Sequence, residues 1–434
     1  MITSSLVSRL NKRLMRPNQA AGAANGLFLA VAIPFSLLLS AASAGLGGSP
    51  AEVSMQIVAL LLFGVSVLTT GGRFIEAPVY KESRTSALLV VLFLCSATVS
   101  GVFAEDQLLS VSYVVGIAVT FLISGAVWNL PIDKVLTSLR NYAVITAVLA
   151  LGVWLITPAV GRRFGGVVHS NYWGLLCLSV FCLAVLIRSV LFRSAIQMVS
   201  IVIILAAQSR SALLAVLVAS FVFVYSRFQS ARLGIEAKLA VLVATSIGVF
   251  LTVAIAHEKI YDVFARAFMI NDRYRGVTSG FSGRTALWRA GLDVFAAHPW
   301  FGVGAKMESN FISVAGMAHA HNGYINMLVQ FGTIGAGLFF VLSALALRRL
   351  LHLAHQGLPG GSAGIAFVCG YAVLAVFEPK LINIGNPVSI IMTVFLLRPT
   401  GRTVSTTPIH NALRRQAWPP ATARRPIMLR TSIR

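Results

Sequence analysis

Acidic residues, and charged residues of any kind, are scarce in this sequence. Only 13 Asp and Glu accompany 35 Lys and Arg among 434 residues, and charged residues make up 11% of the chain, against roughly 25% in an average soluble domain. This composition excludes an ordinary soluble enzyme. The net charge of +22 would suggest nucleic-acid binding in a soluble chain. The apolar runs described below give it another explanation, and we predict no nucleic-acid partner.

Cysteine is scarce as well, with four residues in the whole chain. All of them fall inside apolar runs, without the spacing of metal ligands or of a disulfide framework: Cys95, Cys177, Cys182 and Cys369. A free cysteine in such surroundings behaves as a small hydrophobic residue. We therefore interpret all four as packing residues.

Apolar residues are abundant, at 57% of the chain, and they are gathered into long runs. A helix rises about 1.5 Å per residue, so about 20 apolar residues cross about 30 Å of hydrocarbon. We predict an all-α polytopic membrane protein with about 12 transmembrane helices. The predicted spans are 23–43, 53–70, 85–104, 108–129, 138–157, 172–187, 194–208, 211–226, 238–256, 323–346, 362–378 and 384–397.

The basic residues predict the orientation of these spans. With the N-terminus in the cytoplasm, most Lys and Arg fall in cytoplasmic segments, as the positive-inside rule requires, and an even number of spans places the C-terminus there too. The Arg-rich and Pro-rich C-terminal tail is typical of a disordered, membrane-surface segment. The predicted organisation is a basic cytoplasmic N-terminus (1–22), transmembrane helices one to nine (23–256), a helical subdomain in a long extracytoplasmic loop (257–322), helices ten to twelve (323–397) and the disordered basic tail (398–434).

Basic residues on the extracytoplasmic side are not explained by topology and therefore indicate function. Arg210 lies between two apolar runs with almost no loop to solvate it. An arginine at that depth costs at least about 2.5 to 3.5 kcal/mol unless it meets a counter-charge, a carbonyl group or water. We interpret it as a functional candidate, and a snorkelling arginine at the interface is the alternative.

The segment 282–298 of the long loop predicts an amphipathic helix, with a stripe formed by Leu287, Gly291, Val294 and Phe295. Arg284 falls in its first turn. The guanidinium and the helix N-terminus then present positive potential at one place, which favours an anion such as phosphate. Arg289 is a second candidate, although its spacing of four residues from Asp293 also fits a pair on the helix surface.

Histidine supplies the candidate for proton transfer. His321 is the strongest, because an imidazole with a pKa near 6.5 accepts a proton near neutral pH, and Asn322 next to it is expected to orient it or the substrate. His319, two residues away, is expected to point elsewhere, and a metal pair with His321 is the alternative. His169 and Asn171 are weaker candidates at another span end. The extracytoplasmic carboxylates are scattered along the chain, which favours chemistry without Mg²⁺ or Mn²⁺.

Five motifs occur in order between about residues 160 and 345. They are Arg-x-x-Gly followed by His-x-Asn; Ser-Arg-Ser-Ala; Gly-Arg-x-x-x-Trp; Pro-Trp-Phe-Gly-Val-Gly; and His-Asn-x-Tyr followed by Gln-Phe-Gly-Thr-Ile-Gly. This ordered set resembles the O-antigen ligase and polymerase superfamily. No single motif is specific, but five in the same order on one membrane face make a strong combined signal.

The resemblance implies a GT-C-like membrane fold in the bacterial inner membrane, with the active site facing the periplasm. It implies a glycosyltransferase that takes a glycan from undecaprenyl pyrophosphate and passes it to an acceptor hydroxyl. The acceptor is lipid A-core in ligases, another lipid-linked repeat unit in polymerases, and a protein Ser or Thr in a third branch. The residues that match the family's phosphate-binding arginines and its histidine are Arg162 or Arg163, Arg210, Arg284 and His321. Beside these matches we predict Arg289 as a further pyrophosphate-binding residue, and as supporting residues Asn322, His319, His169, Asn171 and Tyr324.

From these observations we predict an O-antigen ligase that acts by metal-independent, inverting glycosyl transfer and needs no cofactor. Its expected partners are membrane lipids, the undecaprenyl-pyrophosphate-linked glycan donor and the lipid A-core acceptor, and no oligomeric state is assigned. A repeat-unit polymerase with the same donor is the alternative within enzymes. A transporter of an anionic lipid-linked saccharide is the alternative from another class. It would recruit Glu378 at the end of the eleventh span, but no inverted repeat is evident.

Overall fold

The computed structural model describes most of the predicted membrane spans and part of the long loop. The described residues are 34–39, 50–69, 83–156, 170–230, 234, 236, 284–312, 319–358, 360–379 and 381–400. The predicted span 238–256 and most of the span 23–43 lie outside them, as do the first 27 residues of the predicted loop subdomain, 257–283. The predicted tail lies outside them from residue 401 onward.

Within these ranges the chain is helical and contains no strand. The helices are α1 (Pro50–Thr69), α2 (Arg84–Val102), α3 (Gln107–Ala126), α4 (Ile132–Ile156), α5 (Ser170–Leu183), α6 (Val190–Ala206), α7 (Arg210–Ser230), α8 (Arg284–Ala297), the short α9 (Glu308–Phe311), α10 (Gly323–His355), α11 (Gly361–Ala375) and α12 (Pro387–Leu396). Single 3₁₀ turns extend two of them, over Val127–Asn129 after α3 and Ala184–Leu186 after α5.

Capping residues in the sequence determine where several helices begin. The side chains of Ser83, Asp106 and Ser189 each accept a hydrogen bond from a backbone N–H in the first turn of α2, α3 and α6. Asn386 does the same for α12, whose first residue is Pro387. These side chains satisfy N–H groups that have no partner within the helix, and proline is favoured at the first helical position.

Five of the described helices are long and apolar enough to cross a membrane: Arg84–Val102, Gln107–Asn129, Ile132–Ile156, Arg210–Gln229 and Gly323–His355. Five shorter apolar helices accompany them, at Ser54–Thr69, Ser170–Leu186, Val190–Ala206, Gly361–Ala375 and Pro387–Leu396. An all-helical, multi-pass membrane protein is therefore confirmed. The number of twelve spans and the GT-C-like arrangement stay predictions.

Large apolar side chains on the outside of the helices agree with a membrane environment. Leu88, Val148 and Phe221 are each more than half exposed, which would be unfavourable in water but is favourable against lipid tails. The interior is closely packed. Phe93 of α2 is fully buried, and its ring contacts the rings of Phe331 and Phe339 of α10, with centroids 5.6 and 5.8 Å apart.

Hydrogen bonds at both ends of α10 fix the directions of its neighbours. Arg349, near the end of α10, donates to Ser86 Oγ at the start of α2, whereas Ser100, near the end of α2, donates to the carbonyl oxygen of Gln330 at 2.7 Å. The two helices are therefore antiparallel. Arg349 also donates to the carbonyl oxygen of Leu396 at the end of α12, at 2.7 Å, so these two helix ends lie together.

The end of the bundle at which α10 begins is called the histidine end below, because His319 and His321 directly precede that helix. α11 finishes there, since the hydroxyl of Tyr324 in the first turn of α10 donates to the carbonyl oxygen of Ala372 in the last turn of α11, at 2.8 Å. The segment after α11 lies there as well. The backbone oxygen of Glu378 is 3.2 Å from the position that a Cβ on Gly323 would occupy.

Candidate active site

Residues 319–322 form a tight connection into α10, called the histidine turn. His321 has a left-handed backbone conformation, with φ of 49°. Such a conformation costs a residue other than glycine about 1 to 3 kcal/mol and persists only where the surrounding structure holds it. Positions of this kind concentrate at functional sites. The half-buried His321 is therefore held in place by its surroundings rather than by its own backbone preference.

The two histidines of the turn lie side by side. Their spacing predicts side chains that diverge in an extended or a helical segment. Instead the ring centroids of His319 and His321 are 4.2 Å apart, with an interplanar angle of 76°. That prediction is wrong because the left-handed conformation at His321 bends the chain in a way that neither regular conformation does. Among the described residues, no group of three His, Cys, Asp or Glu side chains is arranged to hold a metal ion.

Asn322 acts on the helix rather than on the imidazole. Its Oδ1 accepts hydrogen bonds from the backbone N–H groups of Tyr324 and Ile325, at 2.9 and 3.1 Å, and the residue is buried. It is the N-cap of α10. Its side chain therefore satisfies two N–H groups at the start of the helix, and the predicted role of Asn322 in orienting His321 or the substrate stays a prediction. Tyr324, also predicted as a supporting residue, joins α10 to α11 through the hydrogen bond to Ala372.

Asn326 was not singled out from the sequence, yet its side chain makes two hydrogen bonds near the histidine turn. It is 2% exposed. Its Oδ1 accepts a hydrogen bond from the backbone N–H of Ala320 at 3.2 Å, and its Nδ2 donates to the carbonyl oxygen of Pro379 at 3.3 Å. The signal that sequence reasoning overlooked is a polar amide one turn after the His-Asn pair, in a run that is otherwise apolar.

α10 breaks at Gly332, which has φ of 62° and ψ of −170° inside the helix. The break disrupts the regular bonds from N–H groups 333 and 334 to carbonyl groups 329 and 330. The segment 299–304, which carries the Pro-Trp-Phe-Gly-Val-Gly motif, replaces them. The bonds run from Thr333 N to Pro299 O (2.7 Å), from Ile334 N to Trp300 O (3.2 Å), from Val303 N to Val329 O (2.8 Å) and from Gly304 N to Gln330 O (3.1 Å).

We call this arrangement of segment 299–304 against the broken helix the clamp. Two glycines allow its close approach. A Cβ on Gly302 or on Gly332 would collide with backbone atoms of the opposite segment, and both glycines have a positive φ. Unsatisfied backbone groups at membrane depth cost several kcal/mol each, so the clamp makes the break in α10 tolerable. The motif Pro-Trp-Phe-Gly-Val-Gly and the later motif that contains Gly332 therefore form a single structural unit. This unit ends the half-helix 323–331, which begins at the histidine turn.

α8 confirms the predicted amphipathic helix over its described residues. Leu287 and Gly291 are buried and Val294 and Phe295 half-buried, as the stripe requires. A Cβ on Gly291 would lie 2.6 Å from Ile325 Cγ2 and 3.3 Å from the Cβ of Ala320. α8 therefore packs directly on the histidine turn and on the first turn of α10.

The two arginines of α8 differ in their surroundings. Arg284 is the first residue of the helix and is half-buried, as an anion-binding position at a helix N-terminus requires. Arg289 is exposed. Among the described residues it forms no ion pair with Asp293, which is exposed as well. Their distances from the imidazole of His321 stay predictions.

Arg210 is the first residue of α7 and is half-buried. A Cβ on Gly174 would collide with the side chain of Ser209 and lie 2.8 Å from the Cβ of Ala212. The starts of α5 and α7 are therefore side by side, and Asn171, in the first turn of α5, belongs to the same region. Arg162, Arg163 and His169 lie outside the described residues, so their roles stay predictions.

A second polar cluster lies next to the clamp and was also missed from the sequence. Glu308 in α9 is 8% exposed, and burial raises the pKa of its carboxyl while nearby Lys306 lowers it. The ammonium of Lys306 stands 5.3 Å from the ring centroid of Tyr113, whose hydroxyl donates to Asn383 Oδ1 at 2.6 Å. This cluster joins the segment after the clamp to α3 and to the connection before α12.

The comparison with known families bears on this region of the chain. A family model described as O-antigen ligase matches residues 195–340, about a third of the sequence. This match supports the predicted resemblance of the chain to the O-antigen ligase superfamily. The matched residues include α7 with Arg210, α8 with Arg284, the clamp, and the histidine turn, so the predicted resemblance is confirmed. The family is a glycosyltransferase-like ligase and polymerase family. No curated protein matches the chain.

Proposed function

We propose that this O-antigen ligase family protein is an O-antigen ligase of the bacterial inner membrane. It transfers O-antigen polysaccharide from undecaprenyl pyrophosphate to a hydroxyl of lipid A-core on the periplasmic face. The observation that carries the proposal is the histidine turn: within the matched region, His321 is held in a left-handed conformation at the start of a broken membrane helix. A strained, fixed imidazole suits proton transfer better than it suits packing.

The arginines supply the donor side of the proposed reaction. A planar guanidinium makes charge-assisted, bidentate hydrogen bonds to phosphate oxygens and stays protonated. Arg284 is at the N-terminus of α8, and that helix packs on the histidine turn. In the proposal Arg284, Arg210 and Arg162 or Arg163 bind the pyrophosphate, with Arg289 in support. The charge that develops on the leaving oxygens meets cations that are already in place, and no general acid is needed.

His321 supplies the acceptor side. The hydroxyl oxygen of the acceptor attacks the anomeric carbon as the bond from that carbon to the phosphate oxygen breaks. The electron pair leaves with undecaprenyl pyrophosphate, and the hydroxyl proton passes to the imidazole of His321. A single in-line displacement inverts the configuration at the anomeric carbon. No metal ion takes part in the proposed reaction.

The proposal is tested by an in vitro transfer assay on the purified full chain, with undecaprenyl-pyrophosphate-linked glycan and lipid A-core, in the presence and absence of EDTA. We expect transfer to lipid A-core that EDTA leaves unchanged and that both Arg284→Ala and His321→Ala abolish. Matched controls come from the opposite end of the helices: Arg227→Ala in the last turn of α7, and His355→Ala at the exposed end of α10. Both controls should keep wild-type transfer.

The alternatives give different results in the same assay. Chain growth on the lipid carrier, without use of lipid A-core, identifies a repeat-unit polymerase. Loss of transfer in EDTA overturns the metal-independent mechanism. Near wild-type transfer by a folded His321→Ala variant overturns the assignment of the base. A chain that transfers glycan to neither acceptor, but moves the lipid-linked saccharide across a vesicle membrane, is a transporter.

A further inference from the structure

The half-helix between the histidine turn and the clamp contains one polar side chain that reaches two separate segments. Asn326 is almost fully buried and makes the two amide hydrogen bonds described above, one to Ala320 and one to Pro379. Burying a primary amide is unfavourable unless its donors and acceptors are satisfied. Both the oxygen and the nitrogen of this amide have backbone partners, so Asn326 holds two pieces of backbone at a fixed separation.

The first piece of backbone is the residue directly before His321. Ala320 is fully buried against α8, and its N–H donates a hydrogen bond to Oδ1 of Asn326. On the other side of His321, Asn322 is fixed by its capping bonds, and its carbonyl oxygen accepts from the backbone N–H of Asn326 at 2.9 Å. Hydrogen bonds therefore hold the residues on both sides of His321, and Asn326 takes part in a bond on each side, through its side chain to Ala320 and through its backbone N–H to Asn322.

The second piece of backbone is the segment after α11. Pro379 accepts from the amide of Asn326, and the preceding residue, Glu378, packs its backbone against Gly323. Asn326 thereby links the histidine turn to the segment that ends the adjacent membrane helix. An apolar side chain of the same size would fill the same volume without making this link.

We infer that Asn326 is a positioning residue for His321: its side-chain amide fixes the histidine turn against the segment at Pro379 and so sets where the imidazole stands relative to the acceptor hydroxyl. The inference rests on the proposed function, in which His321 is the base. Asn326 itself touches neither substrate nor product. A misplacement of about 1 Å in a catalytic group can lower the rate on the order of 100-fold, and the effect of Asn326 should be expressed through His321 alone.

The test measures transfer by the full-length purified protein with radiolabelled donor glycan and lipid A-core. Asn326→Leu removes both amide bonds and keeps the branched shape and the number of heavy atoms of the side chain. Asn326→Asp keeps an oxygen for the Ala320 N–H but cannot donate to Pro379. Each is combined with wild-type His321 and with His321→Ala. Asn383→Leu is the matched control, because Asn383 is a buried asparagine at the same end that accepts from Tyr113 instead.

With His321 present, we expect Asn326→Leu to lower kcat on the order of 100-fold and to leave the KM values for donor and acceptor within about two-fold. The kcat of Asn326→Asp should lie between those of Asn326→Leu and the wild type. The kcat of Asn383→Leu should stay within a few-fold of the wild-type value. Any residual transfer by His321→Ala should not fall further when Asn326→Leu is added, because residues that act as one unit are not additive.

Equal losses in both backgrounds, or a loss confined to KM, would overturn the inference and leave Asn326 as a packing residue. Where Asn326→Leu does not fold, Asn326→Asp supplies the same comparison. Where the double variants fall below detection, the division of the effect between kcat and KM in the single variants decides. Failure of the proposed function is a separate result, since it shows as wild-type transfer by His321→Ala itself.

Discussion

At the scale of single residues, two asparagine side chains in the candidate active site form hydrogen bonds with backbone groups rather than with other side chains. Asn322 caps α10, Asn326 holds the turn before it, and His321 is left with a backbone conformation that it would not adopt unaided. The sequence motif His-Asn therefore combines two different roles. In the proposed function His321 accepts the proton, and Asn322 caps the helix that follows it.

Glu308 gives a prediction about pH at this scale. Burial raises the pKa of its carboxyl above the ordinary value of 4.5, so the folded chain holds this proton more tightly than the unfolded chain. The contribution therefore favours folding at low pH and is lost as the pH rises from the unfolded value through the raised one. Glu308→Gln, which removes the buried charge, should raise the unfolding temperature by about 2 degrees at pH 8 and by less as the pH falls toward 4.

This prediction is checked by thermal unfolding of the detergent-purified protein at several pH values. Glu105→Gln is the control, because Glu105 is exposed and accepts a hydrogen bond from Asn310 at 3.1 Å. The unfolding temperature of Glu105→Gln should not rise above that of the wild type at pH 8. A Glu308→Gln variant less stable than wild type at pH 8 would mean that the carboxylate is needed as an anion beside Lys306.

The sequence predicts more about the candidate residues than about their contacts. Arg210, Arg284 and His321 were singled out because charge and imidazole are unusual near apolar spans. The contact between the rings of His319 and His321 was missed because it depends on a left-handed backbone at His321, and no side-chain pattern encodes that conformation. Asn326 was missed because both of its partners are backbone groups, the N–H of Ala320 and the carbonyl oxygen of Pro379, and a side-chain pattern does not reveal backbone partners.

At the scale of helices, the break in α10 explains the glycine-rich motifs. A transmembrane helix can be interrupted only where another segment satisfies the freed backbone groups. The clamp does this with four hydrogen bonds, aided by the bond from Ser100 Oγ to the carbonyl oxygen of Gln330. The half-helix 323–331 is thus fixed at both ends, by the clamp at one end and by the histidine turn at the other.

Gly332→Ala should destabilise the protein strongly. The residue has a positive φ, and an added Cβ would collide with the backbone of Trp300. The conformation alone costs about 1 to 3 kcal/mol for a residue other than glycine, and the clamp must shift as well. Gly337→Ala is the matched control five residues along the same helix, where a Cβ would meet no atom within 4 Å. There alanine should be neutral or stabilising by up to about 1 kcal/mol.

Thermal unfolding of the two variants in the same detergent checks this, together with the transfer assay. We expect a clearly lower unfolding temperature and little transfer for Gly332→Ala only. Equal unfolding temperatures for the two variants would mean that the clamp contributes nothing to stability.

Helix positions were predictable to within a few residues over most of the described chain, because each apolar run is long and is bounded by polar or capping residues. The predicted spans 85–104 and 108–129, for example, correspond to α2 and to α3 with its 3₁₀ turn. The break in α10 was not predictable. Gly332 looks like any glycine in an apolar run, and the partners that make its conformation tolerable lie about 30 residues earlier in the chain.

At the scale of the whole molecule, the length and charge of α10 predict how the protein is oriented in the membrane. Its longer regular part, 333–355 after the break at Gly332, has 23 of the 33 residues. It extends about 35 Å at 1.5 Å per residue, more than the roughly 30 Å of hydrocarbon in a bilayer. By length and composition α10 is a candidate membrane span, and we predict that its two ends lie on opposite sides of the membrane. The positive-inside rule predicts that the end carrying Arg348 and Arg349 lies in the cytoplasm. The same prediction places the histidine end on the periplasmic face.

Cysteine labelling in whole cells tests this orientation. Ser309 in α9 and Gln356 directly after α10 are both exposed, so Ser309→Cys and Gln356→Cys, each in a background with the four native cysteines replaced, present thiols of similar access. A maleimide that does not cross the inner membrane should label Ser309→Cys in spheroplasts, and Gln356→Cys only after the membrane is permeabilised. The reverse pattern would place the histidine turn in the cytoplasm, where a periplasmic transfer to lipid A-core is impossible. Labelling of both in intact spheroplasts would mean that α10 does not cross the membrane.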